Sequence, residues 1–427
     1  MIMNSKLRIL GGGMEVGRLA VFLESDSVGL LLDYGVTFTE DGKPELPEQV
    51  PPRSIDAIVL SHVHLDHSGG IPLYFISSKV PIYTTKATRD LMTPLFDDFL
   101  HISGYYLPYE HVEVRKMMNC INTINYGETV HIKDTSISFH NAGHIPGSML
   151  AIVHTKTSSI MFTGDVNTVE TRLMKPANIR GGEFKDVEYL ILEATYGSYD
   201  HPPRSEVEQL FIKSVLEVLD DNGIVLVPAF SLNRSQEILC VLRSYGITDA
   251  YPVYYDGMVR IINEILLANK EFIKEPQVLV SALKRAKKVR NWRDRREIKG
   301  PAVIVASSGM LKGGPSNYYL KTIGRSEKNA IFLVSFQAPG TPGREILEKG
   351  FTDSLRWRVK ARIEWFDFSS HSGRKELFYI VKSLPNLKKV IVVHSERETA
   401  FKFKEFVEDS LDVEVQVASN GDTIVLD

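Results

Sequence analysis

The stretch Ser61-His62-Val63-His64-Leu65-Asp66-His67 places three histidines and an aspartate within six positions. Imidazole and carboxylate together form the ligand set that zinc prefers. The apolar run Ala57-Ile58-Val59-Leu60 stands directly before them and reads as a buried strand. A rigid element would therefore hold the ligands while the following loop leaves one side open. Side chains alternate along an extended strand end, so His62 and His64 share one face. Asp66 and His67 fall past the strand, in a tight turn before Ser68-Gly69-Gly70, and point elsewhere. The spacing predicts two neighbouring metals, one served by His62 and His64 and the other by Asp66 and His67.

Two metals need more ligands than one loop supplies, and other strands end in the same chemistry. Ser136–Phe139 alternates like a strand and leads into Gly143-His144. Ser158–Thr163 stops at Gly164-Asp165, and Val187–Leu192 ends in Glu193-Ala194-Thr195-Tyr196-Gly197. Ile363–Phe368 runs into Ser369-Ser370-His371-Ser372-Gly373, and Lys389–Val393 ends in His394-Ser395-Glu396. Any one of these polar residues is readily a cap or turn residue. Five strands ending alike point to one shared centre.

In this order the motifs resemble the metallo-β-lactamase-fold nucleases of the β-CASP group, which includes the cleavage and polyadenylation endonuclease, its archaeal counterparts and ribonuclease J. The likeness spans nearly the whole chain. It takes in the opening loop Gly11-Gly12-Gly13-Met14-Glu15-Val16-Gly17-Arg18 and the strand end Leu30-Leu31-Leu32-Asp33. Typical of the inserted β-CASP domain are Pro228–Glu237, Ser308–Pro315 and Gln337–Arg344.

The resemblance implies an α/β fold, a metallo-β-lactamase αββα sandwich with an inserted β-CASP α/β domain. It implies two Zn2+ ions, one on His62, His64, His144 and Asp165, the other on Asp66, His67, Asp165 and His394, with Asp165 bridging. Asp33 would fix the tautomer of a ligand histidine. His371 would be the general acid and Glu193 would orient it. Two zinc ions sharing a water lower its pKa from about 16 towards 7, hold phosphodiester oxygens and make hydrolysis feasible at neutral pH. Loss of Asp66 should then abolish hydrolysis and alter metal content. A histidine near its ordinary pKa can protonate the leaving oxygen.

Organisation follows from the pattern. Up to about Gly197 short apolar strands alternate with turns and a helix around Thr88 to Leu100. From about Asp200 to Gly350 the pattern becomes Arg204–Leu219 helix, Ile224–Val227 strand, Arg234–Tyr245 helix, then strands Ala302–Ala306 and Ala330–Val334, which predicts a parallel sheet of βαβ units. After Arg358 the strands carrying His371 and His394 are expected to return to the first domain. The expected parts are 1–200 and 356–427 for the metal fold and 201–355 for the insertion, with the active site in the cleft between them. With the first strand expected near Leu7, the KH domains that precede the metal fold in some archaeal relatives are not expected within this sequence.

The 427 residues carry a net charge of −3 and ordinary apolar and charged fractions, so overall charge does not announce a polyanion partner. No apolar run is long enough to span a bilayer, and Met1 to Leu10 lacks a leader pattern, which makes the cytoplasm the default and a membrane partner unexpected. Cys120 and Cys240 sit in no metal motif and do not make a disulfide framework.

Local charge is more informative. Lys284 to Lys299 holds nine basic residues against two acidic, with Trp292 in the middle. Such a stripe either meets phosphates and stacks a base or forms a solvated face. Lys312 and Arg344, in glycine-rich loops, are the favoured phosphate contacts, and Ser372 stands where a helix start after His371 could hold another. Relatives acting on DNA generally lack the last histidine, here His394, so single-stranded RNA is the expected substrate. Ser-His-Ser-Gly lacks the acidic residue that follows this histidine in several relatives, which leaves endonucleolytic and 5′–3′ exonucleolytic cutting both open.

The leading expectation is a zinc-dependent ribonuclease, acting as a homodimer or within an RNA-processing complex. A catalytically weak RNA-binding subunit is the alternative, opposed by the complete ligand and acid positions. A small-molecule hydrolase of the same metal fold is disfavoured by the inserted loops.

Overall fold

The computed structural model describes residues 5–25, 28–39 and 41–427. Residues 1–4 of the opening stretch Met1 to Leu10 lie outside the described residues. The chain divides into two compact units, one of residues 1–170, 176–200 and 370–427, the other of residues 171–175 and 201–369.

The first unit is built on two seven-stranded sheets. The first runs in the order Thr423–Val425, Lys6–Gly11, Ala20–Glu24, Gly29–Leu32, Ala57–Val59, Ile82–Thr85, Ile121–Ile124. The second runs Glu414–Val417, Lys389–Val393, Tyr189–Glu193, Ser159–Phe162, Met149–His154, Thr135–Asn141, Thr129–Ile132. Period-two alternation turns Ala151 and Val153 inward, where they meet Leu30, Leu32 and Val59 of the facing sheet. Leu150 and Ile152 point outward into a second core with Leu377, Ile380 and Val381 of helix Arg374–Lys382 and Phe403 of helix Arg397–Glu408. Helix Lys86–Ser103 packs beside strands Ile82–Thr85 and Ile121–Ile124 of the first sheet. Thr85 caps it by accepting from the Thr88 amide. The result is an αββα sandwich.

The second unit carries one six-stranded sheet in the order Lys287–Lys288, Val253–Asp256, Ala302–Ala306, Ile224–Pro228, Ala330–Leu333, Arg362–Trp365. Every pairing in it is parallel. Its central strands are apolar on both faces, as a sheet covered by helices requires. Phe211 of helix Arg204–Asp220 packs with Val225 and Phe332 on one face, while Leu320 of helix Gly314–Ile323 and Ile346 of helix Pro342–Lys349 pack with Leu226 and Ile331 on the other.

One expectation is corrected here. The strand before His371 does not return to the first sheet pair. Arg362–Trp365 pairs in parallel with Ala330–Leu333, and Phe366 and Phe368 join the core of the second unit. Its backbone completes the edge of the parallel sheet beside Ala330–Leu333, and adjacency to the His371 motif in sequence does not decide which sheet a strand joins. Nor did the sequence reveal that Thr171–Lys175 belongs to the second unit.

Candidate metal centre

All the ligand-type residues expected at the site lie in the first unit, at or just beyond the C-terminal ends of its strands. Strand Ala57–Val59 sits between Gly29–Leu32 and Ile82–Thr85, and the chain leaves it through Leu60 and Ser61 to His62. The strand ends sooner than expected, and Asp66 and His67 lie in a helical turn, Leu65–Ser68, whose N-terminal flanking residue is His64. Gly35 admits that turn, because a Cβ there would stand 1.7 Å from the Asp66 carbonyl oxygen. Gly164, at φ +52°, lets Asp165 approach, since its Cβ would stand 2.5 Å from that of Ser61.

Two ligand clusters emerge. His62, His64, His144 and Asp165 converge, as do Asp66, His67 and His394. His62 Nε2 is 3.0 Å from His64 Nδ1, and His144 Nε2 is 3.3 Å from that same atom. Asp165 faces both groups. Its Oδ2 lies 3.5 Å from His62 Nε2 and 3.4 Å from His144 Nε2, and its Oδ1 lies 3.2 Å from His67 Nε2. His394 Nε2 stands 3.4 Å from Asp66 Oδ2.

Four of the rings are held through Nδ1. Asp33 Oδ2 accepts from His67 Nδ1 at 2.7 Å, and the Ser370 carbonyl accepts from His144 Nδ1 at 2.9 Å. Ser61 Oγ lies 3.0 Å from His62 Nδ1, and Thr195 Oγ1 lies 3.2 Å from His394 Nδ1. In each case Nδ1 is engaged and Nε2 is aimed at the cluster, the geometry of metal-binding histidines. Sequence reading missed Ser61, Thr195 and the Ser370 carbonyl, although Ser61 adjoins the first ligand and Thr195 stands two residues past Glu193.

The residues fit a metal. His67 Nε2, Asp165 Oδ1 and His394 Nε2 are buried with no hydrogen-bond partner and belong to the second cluster and to Asp165, which faces it. Buried polar atoms left unpaired are costly, and a cation satisfies all three. Burial, then the His67 charge, holds His62 well below its ordinary pKa, and burial with the His371 charge does the same for His144. Both rings are held neutral. Burial pushes Asp66 upward, but His394 and His67 outweigh it and hold the carboxyl below the usual carboxylate range. Asp33 and His394 both hold positive φ, 54° and 49°, a strained backbone that functional sites retain.

Beside the clusters, His371 Nδ1 is 3.0 Å from Glu193 Oε1, and its Nε2 is 3.9 Å from Asp165 Oδ2. Glu193 is fully buried at the end of its strand, whereas the His371 side chain keeps 20% of its surface exposed. Burial, the largest influence on His371, lowers its pKa, but Glu193, Asp165 and Asp66 raise it to about 9.

Ser372 is a correction. Its side chain is fully buried, and its hydroxyl accepts from the Thr168 amide at 3.1 Å rather than facing a ligand. Gly373, which has no side chain to cap it, flanks the start of helix Arg374–Lys382. In the second unit Lys312 and Arg344 are exposed, and Arg344 Nε donates to Glu348 Oε1 at 2.5 Å.

The sandwich and its two ligand clusters define a metal-dependent hydrolase of the metallo-β-lactamase fold. The Metallo-beta-lactamase superfamily domain matches residues 22–194, the Beta-Casp domain residues 235–346, and the Zn-dependent metallo-hydrolase RNA specificity domain residues 356–418. The chain belongs to the β-CASP group of metallo-β-lactamase-fold nucleases. It is 47% identical to RNase aCSPSF2 of Saccharolobus solfataricus, over 99% of this chain and 86% of that one. It is 34% identical to Probable RNase MJ4 of Methanocaldococcus jannaschii, over 91% and 93%. Transcription termination factor FttA of the same organism is 35% identical, over 98% of this chain and 71% of its own. A crystal structure of a protein from Enterococcus faecalis shares the fold, with a TM-score of 0.64 over 99% of this chain and 100% of that one at 14% identity.

Proposed function

We propose that this chain is a two-metal ribonuclease that hydrolyses phosphodiester bonds in single-stranded RNA. The observation that carries the reading is the position of Asp165, one oxygen facing His62 and His144 and the other facing His67, with His371 Nε2 nearby. His62, His64, His144 and Asp165 would hold one ion, and Asp66, His67, Asp165 and His394 the other. Zinc suits imidazole and carboxylate ligands best. When bound, the ions would activate water and neutralise phosphoryl charge.

The chain's own residues supply the rest. Glu193 accepts from His371 Nδ1, so the ring's Nε2–H points towards the centre. As the P–O bond breaks, that proton passes to the leaving oxygen, and Glu193 stabilises the charge on the ring while it is protonated. Histidine at position 394 favours RNA over DNA as substrate, and the names of the relatives above accord with that. Lys312 is an exposed cation for the phosphate backbone, and Arg344 can serve once it releases Glu348.

The test uses internally labelled single-stranded RNA with either a 5′ triphosphate or a 5′ monophosphate, with His371→Ala as control. Internal fragments from both define an endonuclease, and monophosphate-dependent release of nucleotides defines a 5′ exonuclease. Absence of product from both sinks the nuclease reading and leaves an RNA-binding subunit.

A further inference from the structure

The basic stretch noted in the sequence has no part in the metal centre, and the second unit builds it in an unusual way. Edge strand Lys287–Lys288 leads into a short helix, Trp292–Glu297. Asn291 caps this helix by accepting from the amides of Arg293 and Asp294, and Asp294 accepts in turn from the Arg290 amide. A buried carboxylate anchors it. Asp256, at the end of its strand and fully buried, accepts from Arg295 Nε at 2.7 Å and Nη2 at 3.2 Å, and from the Tyr319 hydroxyl at 3.0 Å. Arg260 holds the preceding turn through the carbonyls of Val289 and Arg290.

The anchored guanidinium then fixes an aromatic ring. Arg295 lies 4.8 Å from the centre of Trp292, and Tyr318 meets that ring nearly at right angles, centroids 5.0 Å apart. Trp292 nevertheless keeps 57% of its surface in water. A tryptophan that served only packing would turn this surface inward, because hydration of apolar area is unfavourable. Here an Arg–Asp pair presents the ring outward instead.

The charge around it is unspent. Arg285, Lys288, Arg293 and Arg295 are ion-paired, but Lys284, Lys287, Arg290, Arg296 and Lys299 have no acidic partner within 4.0 Å among the described residues. All five are exposed. On a chain of net charge −3 this is a local feature. An exposed aromatic face in a stretch that also carries exposed cations without acidic partners matches an unpaired base on its phosphate backbone. An acidic peptide would use the charges and leave the ring idle.

We propose that Trp292 and the cations Arg290, Arg296 and Lys299 form a second contact for single-stranded RNA on the β-CASP unit, with a base stacked on the indole. The proposal takes its ligand from the nuclease reading, yet its test does not need cleavage. Fluorescence anisotropy with a labelled 30-mer oligoadenylate would compare the full chain carrying His371→Ala with the same chain carrying also Trp292→Ala, or Arg290→Ala with Arg296→Ala and Lys299→Ala. Trp292→Ala should weaken binding about tenfold with little change in salt dependence. The triple replacement should lower the slope of log affinity against log salt by roughly 2. Lys402→Ala, on the first unit, should bind like its parent. Parental affinity and slope in both sets would overturn the proposal, and so would equal losses against polyglutamate, which would make the ligand an acidic protein. Trp292→Phe, which keeps a stacking face, should recover most of the affinity, and a loss equal to that of Trp292→Ala would refute stacking. If the variants behave as expected while the unmodified chain never cleaves RNA, only the nuclease reading falls.

Discussion

Ser61 Oγ donates to Asp33 Oδ2 at 2.6 Å and lies 3.0 Å from His62 Nδ1. Asp33 also accepts from His67 Nδ1, so one buried carboxylate orients a ring of each cluster, His67 directly and His62 through the serine. Removing a contact that orients a ligand typically costs 10–100-fold in metal affinity. Ser61→Ala should therefore weaken the ion on His62, His64 and His144 by roughly that factor and spare the other. Asp33→Asn should weaken both. Metal titration with a chromophoric chelator measures this, and equal loss of both ions in Ser61→Ala would refute the relay.

The two clusters share only Asp165 in their proposed ligand sets. Asp165→Ala should leave less than one ion per chain, whereas Asp66→Ala should keep close to one and lose hydrolysis. Elemental analysis of the purified variants decides the matter. Two ions retained in Asp66→Ala, with activity intact, would end the two-metal mechanism.

A pH profile tests the His371–Glu193 pair. The acid works in its protonated form, which predominates below its pKa and is lost above it. Glu193 is the leading influence raising that pKa, and cations bound at Asp165 and Asp66 would cancel the pull of those two carboxylates. Glu193→Gln should then move the alkaline limb of kcat to lower pH, with a larger loss at pH 8 than at pH 6. An unmoved limb would mean that His371 is not the acid.

Stability of the second unit should depend on Glu237. Its buried carboxylate accepts from the amides of Arg172 at 3.0 Å and Leu173 at 2.8 Å, and Arg172 pairs with Glu208. Glu237→Ala strands these amides, which should cost about 1–3 kcal/mol. Chemical denaturation followed by a probe in the second unit reads the change. A midpoint like that of the parent chain would show that water satisfies the amides instead.

Much of this was legible in the sequence because ligand chemistry is local. His62, His64, Asp66 and His67 stand within six positions, and strand ends announce themselves through apolar runs that stop at a polar residue. Helix Arg204–Asp220 and strand Ala302–Ala306 fell where periodicity put them. Ser372 did not, because a serine beside a histidine looks the same whether its hydroxyl meets a phosphate or, as here, the amide of Thr168. The strand at Arg362–Trp365 was expected but its sheet was not, since pairing partners are chosen by sheet edges that the local sequence does not name.

The sequence by itself determined the kinds of chemistry available, the order of the motifs and the family to which the chain belongs, since residue type and spacing suffice for these. Only the tertiary structure decided which oxygen of Asp165 faces which cluster, and that Asp33 reaches His62 through Ser61. It also decided that the Ser370 carbonyl holds His144 and that Trp292 stands outward on Arg295. Those relationships join residues from different strands and loops over angstrom distances, and such distances are set by how sheets and helices pack, not by separation along the chain.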